Sequence, residues 1–389
     1  MTIKSIVQTT TILFSISILV SGGVFSNTIA GIKNRNIYLE ENTTSNNLTF
    51  LGFKNISITS LAIVEKYIYV GTRGFGIYRK NLDDVNSKWE YKGFFTKTIN
   101  TIYIDPKNSD TIYVGLEESG RIKLLLNRWN SHSIYKSKNG GSRWIPFDRG
   151  IKSRELLFNR RLPTNCINGP HDNSDVIYVT STSSIFKSID NAKSWDLIWG
   201  QKDGFRVGVH TITIDPSNSN IIWAGGEKGL FFPFLLKSDN AGKNWNDIAI
   251  PTSGDNAVYN IAIRPEDSNT IYVGMEGQLV KSIDGGDNWT ILLEPEDYPY
   301  FRAIVIDPLN PDHIFTGSGP SAGCDNPRDS PLEIWESYDG GEKWICHNVS
   351  TKEGGRRVLS LVIDSRSNEN TLYIGTSYGG LWSYEFKII

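Results

Sequence analysis

The chain has 389 residues, with 40 Lys+Arg against 42 Asp+Glu and a formal net charge of −2. That near-balance excludes a nucleic-acid binder working by bulk positive charge, and an acidic solvating tail. Apolar residues at 39%, with 11 Trp, 17 Tyr and 17 Phe, exclude a disordered chain, while 36 Gly beside 2 Met suit tight turns better than packed helices.

Residues 1–30 read as a secretory signal peptide. Lys4 precedes the apolar run Ile12-Leu13-Phe14-Ser15-Ile16-Ser17-Ile18-Leu19-Val20, and Ser21-Gly22-Gly23 follow. The run is short for a membrane span, and cleavage fits after Ser26 or Ala30; an uncleaved anchor is the alternative. Residues 31–47, rich in Asn and Thr, read as a flexible lead-in. The expectation is a secreted or extracytoplasmic protein (periplasm, lumen or extracellular space) with no stable membrane insertion after cleavage.

From residue 48 onward the chain repeats. A block Ser-x-Asp/Asn-x-Gly-x-x-Trp appears as Ser137, Asn139 and Trp144; Ser238, Asn240 and Trp245; Ser282, Asp284 and Trp289; and Ser337, Asp339 and Trp344. A further copy, Ser188, Asp190 and Trp195, carries Ala192 in place of Gly, and Arg79 to Trp89 is a degenerate, lengthened form. Asp or Asn accepts backbone N–H bonds within its own turn, Gly supplies a positive φ, and the Trp buries a large ring over the turn. Apolar segments such as Ile185-Phe186-Lys187 precede each block, which predicts a hairpin turn between two strands.

A second repeat runs out of phase with the first: apolar strand, Asp-Pro-x-Asn turn, then a strand ending in Gly. Ile104-Asp105-Pro106 leads to Gly115, Ile214-Asp215-Pro216 to Gly225, Ile263-Arg264-Pro265 to Gly274, and Ile306-Asp307-Pro308 to Gly317. Weaker copies end at Gly71, Thr180 and Gly375. Two hairpins per period give four strands, and seven periods of about 43 to 65 residues predict a seven-bladed, all-β propeller of four-stranded antiparallel blades over residues 48–389. The last unit stops after Leu381-Trp382-Ser383-Tyr384-Glu385-Phe386, one strand short. Thr49-Phe50-Leu51-Gly52-Phe53 matches Glu90-Tyr91-Lys92-Gly93-Phe94, so an N-terminal strand is expected to complete the last blade and close the edge.

The Ser-x-Asp-x-Gly-x-x-Trp blocks resemble the Asp-box, or BNR repeat. Families sharing it include sialidases, xyloglucanase-type glycoside hydrolases, sortilin-type receptor domains and photosystem II assembly propellers, so the resemblance implies fold more than chemistry. It also implies that the block residues are structural turns at the blade periphery. Two enzyme readings can be tested on residues. The sialidase Arg-x-Pro motif has a counterpart in Arg161-Leu162-Pro163, but after the first clean block instead of before it. The xyloglucanase-type catalytic base falls at Arg73 in Gly71-Thr72-Arg73-Gly74, and arginine cannot activate water because it stays protonated.

The propeller topology puts the short Asp-Pro and Ser-x-Asp turns on one face and the variable connections on the other. Variable loops and inner-strand starts there bring arginines and aromatics to the central mouth: Arg160, Arg161, Arg206, His210, Tyr259, Tyr300, Arg302 and Arg357. Guanidinium forks suit carboxylates and phosphates, and tyrosines suit sugar faces or protein hot spots. Acids in the same loops, including Glu117, Glu118, Asp148, Glu155, Asp203 and Asp297, offer these arginines internal partners as the alternative use. The five histidines have no metal spacing and no phosphate-binding glycine loop opens a helix, so no cofactor and no metal are expected. Cys324 and Cys346 flank one hairpin and are expected to pair in an oxidising compartment, leaving Cys166 as a buried thiol.

The leading expectation is a secreted, monomeric, non-catalytic propeller that binds a protein or polysaccharide partner, anionic groups suiting its arginines, and no nucleic acid. The alternative is an extracellular glycoside hydrolase, xyloglucanase-like or sialidase-like, with rearranged acids.

Overall fold

The computed structural model describes residues 48–117, 132–151, 162–200, 207–229, 232–252, 257–295, 300–319, 332–349, 357–366 and 370–386. The expected leader and lead-in, Arg160, Arg161, Arg206, Cys324, Glu118, Glu155, Asp203 and Asp297 lie outside these residues. Seven four-stranded antiparallel sheets form a ring, and no helix occurs among the described residues. The inner strands of blades 1 to 7 are Ile58–Val64, Ile99–Ile104, Thr164–Asn168, Val207–Ile214, Val258–Ile263, Ala303–Ile306 and Val358–Asp364. Each packs against the next, and the seventh packs against the first.

The second strands are buried along their length, as in Ile112–Leu116, Ile177–Ser181, Ile271–Met275 and Ile314–Ser318. Each is sandwiched between neighbouring blades, so both faces select β-branched and aromatic side chains and the period-2 alternation disappears. The glycines of these strands, Gly225 in the middle of Ile222–Lys228 and Gly317 one residue from the end of Ile314–Ser318, are strand residues that serve packing, not turning. A Cβ at Gly225 would stand 2.4 Å from Val258 Cγ1, and one at Gly317 would stand 2.3 Å from Val358 Cβ. Glycine is the residue that lets the next inner strand come this close.

Five Ser-x-Asp/Asn turns share one wiring. In blade 2, Ser137 Oγ accepts from Gly141 N–H (2.9 Å) and donates to Asn139 Oδ1 (3.0 Å), which accepts from Arg143 N–H (2.9 Å). Asp190, Asn240, Asp284 and Asp339 repeat the last bond to Ser194, Asn244, Asn288 and Lys343. The fourth and fifth residues of every turn have positive φ, including Asn191 (62°), Ala192 (67°) and Ala241 (55°). Ala192 therefore keeps the glycine conformation, in which its N–H donates to Ser188 Oγ (2.9 Å). The fourth residue's N–H also reaches the loop beyond its own blade's first turn, as in Gly140 to Asp110 O and Gly340 to Asp312 O. Both turn types thus sit at one end of the blade.

The tryptophans differ from the simple expectation that each covers its own turn. Trp144 and Trp195 donate their indole N–H across the blade boundary, to Lys92 O (2.8 Å) and Phe147 O (2.7 Å) of the preceding blade. Trp289 and Trp344 donate within their own turns, to Gly286 O and Gly341 O.

A second repeated fastening links blades. Tyr69 and Arg79, Tyr113 and Lys136, Tyr178 and Lys187, Trp223 and Lys237, and Tyr272 and Lys281 are cross-strand pairs on the second and third strands of blades 1 to 5. Each cation reaches the backbone carbonyl at the fourth position of the next blade's Ser-x-Asp turn: Gly140, Asn191, Ala241, Gly285 and Gly340. All four lysines also lie over the ring of their cross-strand partner, 4.8 to 5.8 Å from its centroid.

Blade 7 is built from Val358–Asp364, Asn370–Thr376, Leu381–Phe386 and Leu48–Gly52, in that spatial order. Leu48 faces Tyr384 and Phe50 faces Trp382, with the last two rings 5.1 Å apart. Between blades 7 and 1, Leu61 N–H donates to Ser360 Oγ (3.1 Å) and Tyr378 N–H to Ser57 Oγ (3.1 Å).

Candidate functional site

Inner strands start at the end of the blades opposite the two turn types. Six of the seven carry a register shift there, leaving Thr59, Asn100, Asn165, His210, Tyr259 and Leu359 without a paired partner. A bulge kinks the strand and re-aims that side chain. The bulged residues of blades 1 to 3 are polar and satisfy the next inner strand. Thr59 Oγ1 donates to Ile99 O, Asn100 Nδ2 to Thr164 O (3.1 Å) and Asn165 Nδ2 to Val209 O (2.9 Å).

From blade 4 onward the ring changes character. His210 stacks on Tyr259 (centroids 5.4 Å, planes 25° apart), and Tyr259 lies 5.4 Å from Tyr300. The Arg302 guanidinium carbon stands 4.1 Å from the Tyr259 centroid and 5.0 Å from that of Tyr300. Arg357 stands 4.6 Å from the Tyr300 centroid. Five of the eight residues expected at the mouth, namely His210, Tyr259, Tyr300, Arg302 and Arg357, thus form one continuous stack across blades 4 to 7.

The electrostatics follow from that crowding. Burial pulls Arg357 below its ordinary value, and the Arg302 charge adds to the pull. Burial raises the Tyr259 phenol, with Arg302 opposing. Arg302 Nε is buried and has no hydrogen-bond partner among the described residues. Two guanidiniums share the Tyr300 ring, with Glu227 acting on Arg302 and Glu276 on Arg357 to offset part of their charge.

Sequence reasoning missed Glu227 and Glu276. His210 Nε2 lies 3.9 Å from Glu227 Oε1, and that contact is the main reason the Glu227 carboxyl is held below its ordinary range. Glu276 forms an isolated bridge to Tyr300. The signal was present: Arg73, Glu117, Glu227 and Glu276 each stand two residues past a second-strand glycine. Arg73, Glu117 and Glu276 donate their N–H to Ser57, Thr98 and Ala257, just before an inner strand, so this position belongs to the mouth end. Asp148 is used otherwise, accepting from Ser133 N–H (3.0 Å) and facing His132 Nδ1 (2.9 Å). Among the described residues no group of three His, Cys, Asp or Glu is arranged to hold a metal. Cys166 is a half-buried thiol whose ionisation burial disfavours.

Chemically, the stack presents cations and ring edges. Tyr259 has both a stacked imidazole and a guanidinium against it, so little of its face is left for a sugar ring. A carboxyl held ionised, as Glu227 is, cannot serve as the proton donor that glycoside cleavage needs.

No family model matches the chain, and no curated protein does. Solved structures do share its fold. An ancestral GH74 enzyme is 19% identical, with a TM-score of 0.59; the match covers 75% of this chain and 36% of that one. YCF48 bound to D1 peptide is 12% identical, with a TM-score of 0.59, covering 89% of this chain and 99% of that one. The extracellular domain of a hybrid two-component system from B. thetaiotaomicron is 9% identical, with a TM-score of 0.59, covering 90% of this chain and 40% of that one. The chain therefore spans about a third of the GH74 enzyme's length and nearly all of YCF48's. At these identities the likeness is one of fold: a seven-bladed β-propeller of four-stranded blades.

Proposed function

We propose that this is a secreted, monomeric, non-catalytic propeller of the Asp-box type that binds an anionic segment of a protein or polysaccharide partner at its blade 4–7 mouth. The observation that carries the reading is the Arg302–Tyr300–Arg357 stack, where two guanidiniums share one ring beside the bulged His210 and Tyr259. Between the two partner classes, a protein is favoured, because Tyr259 is engaged internally and the Arg302 Nε–H lacks a partner among the described residues. Co-structure of the similar YCF48 with a D1 peptide supports a peptide as the kind of partner such a propeller takes. Residues 1–30 would export the chain, and the extracellular neighbour supports that compartment.

The hydrolase reading has one observation in its favour. Glu117, Glu227 and Glu276 recur at equivalent positions around the mouth, and a GH74 enzyme shares the fold. One experiment separates the two. The purified chain is screened against acidic and basic peptides and against acidic and neutral polysaccharides, for binding and for release of reducing ends. Binding of acidic peptides that weakens with salt, without product release, supports the proposal. Reducing-end release abolished by Glu276→Gln replaces it with the hydrolase reading.

A further inference from the structure

The inter-blade fastening departs from its pattern at two junctions: blade 7 has Ser383 opposite Tyr373 at that position, and blade 6 has an acid. In blades 1 to 5 the third strand supplies a cation, but in blade 6 the same cross-strand position is Glu336, paired with Phe315. A lysine there would have no turn to hold. The third and fourth strands of blade 7, Leu381–Phe386 and Leu48–Gly52, come from opposite ends of the chain and share no Ser-x-Asp turn.

Glu336 is instead the centre of a buried polar cluster. Its Oε1 faces His313 Nε2 (2.9 Å) and accepts from Tyr338 OH (2.7 Å). Its Oε2 faces His347 Nε2 (2.7 Å) and accepts from Tyr384 OH (3.3 Å). The other imidazole nitrogen of His313, Nδ1, lies 3.6 Å from Asp307 Oδ2, which accepts from Asn370 Nδ2 (3.1 Å). His313, Asp307 and Glu336 are 1% exposed or less, whereas the His347 side chain is 29% exposed and open to solvent protons. Blade 7 is held through the same groups. Tyr384 belongs to its third strand, Asn370 opens its second, and Phe386 packs 4.8 Å from the His313 ring and 4.9 Å from Phe315.

The facing titratable groups are therefore Asp307, His313, Glu336, Tyr338 and His347 of blade 6 and Tyr384 of blade 7. With both imidazoles protonated, two cations meet two carboxylates and every facing nitrogen donates. With both neutral, each ring has a single N–H. His313 then serves one carboxylate and turns a lone pair to the other, and two buried negative charges lose their counterions. Histidine is the side chain whose charge ordinarily changes between about pH 5 and 8.

We propose that the Asp307–His313–Glu336–His347 cluster is a proton-operated catch. Its protonated form fastens the second and third strands of blade 7, and through the third the paired strand Leu48–Gly52, onto blade 6, and its deprotonated form makes this junction the place where the ring first opens.

The test is hydrogen exchange on the full chain from about pH 5.5 to about pH 8.5, corrected for the intrinsic pH dependence of exchange. Peptides covering 48–52 and 381–386 are compared with a blade 4 peptide covering 232–238. The expected result is a several-fold loss of protection in the blade 7 strands as pH rises, with blade 4 unchanged. His347→Gln, at the half-exposed end of the cluster, should flatten that difference, and His313→Gln should abolish it. If His313→Gln does not fold, His347→Gln alone decides. Equal pH response in blades 4 and 7, or a blade 7 response untouched by His347→Gln, overturns the proposal.

Discussion

Tyr272 and Lys281 lie directly opposite each other on adjacent strands of blade 5, and both donate to a single acceptor, Gly340 O, each at 2.8 Å. That carbonyl belongs to the turn of the next blade. Two side chains and one backbone oxygen thereby fix the angle between blades. The same shared acceptor recurs in blade 1, where Tyr69 and Arg79 meet Gly140 O, and in blade 3, where Tyr178 and Lys187 meet Ala241 O.

Because the two donors share an acceptor, their removal should be non-additive. Tyr272→Phe and Lys281→Met should each destabilise the fold by about 1 kcal/mol while the other donor still satisfies the carbonyl, and the double variant by more than the sum, because it alone strands Gly340 O. Urea denaturation of the four proteins in a double-mutant cycle measures the coupling. Strict additivity would show that the shared acceptor is energetically irrelevant.

Gly317→Ala tests whether second-strand glycines are packing residues. A methyl there meets the Val358 side chain at 2.3 Å, with all three Val358 side-chain carbons within 2.5 Å. Overpacking of this kind costs about 1–3 kcal/mol. Thermal unfolding should show the loss, and Gly317→Ala combined with Val358→Gly, which removes the struck Cβ, should cost less than the sum of the two single changes.

Glu336 predicts an acid limb in the stability profile. Burial alone would raise its pKa, but hydrogen bonds from His313, His347 and Tyr338 bring it down to about 2. A carboxyl whose folded pKa lies below its unfolded value of about 4.3 stabilises the fold above that value. The contribution is then lost as pH falls toward 2. Glu336→Gln should lower stability at neutral pH and flatten the decline between about pH 4 and pH 2, read by denaturation at each pH. This limb is separate from the loosening of blade 7 on the alkaline side.

Arg302 should matter to partner binding through its shape as well as its charge. Arg302→Ala is expected to weaken binding by about tenfold or more, and Arg302→Lys to restore little, because an ammonium cannot spread over the Tyr259 and Tyr300 rings as a planar guanidinium does. Ser337→Ala, at the opposite end of blade 6, removes the acceptor of Gly341 N–H (2.8 Å) and should reduce stability while leaving affinity unchanged. Titration calorimetry on the three variants separates the two effects.

The turns were legible because their chemistry is local. Ser137 and Asn139, or Ser188 and Asp190, need only each other and the backbone of their own hairpin, so an eight-residue pattern records the whole arrangement. The terminal match between Thr49-Phe50-Leu51-Gly52 and Glu90-Tyr91-Lys92-Gly93 was readable for the same reason: equivalent positions in a repeat face equivalent surroundings. His210, Tyr259, Tyr300, Arg302 and Arg357 could be placed near the mouth from inner-strand register, but their order of stacking could not.

By itself, the sequence determined the number of blades, their four-strand makeup, and the end of each blade that carries its turns, since all of these follow from short-range periodicity. Only the tertiary structure decided that Lys281 reaches Gly340, that Glu336 gathers two histidines where blades 1 to 5 carry a cation, and that two arginines share Tyr300. Each of these joins side chains from different strands or blades, and their separation in space depends on how tightly glycines such as Gly225 and Gly317 let neighbouring sheets approach. A one-dimensional repeat records that glycine is present; the distance it permits exists only once the ring has closed.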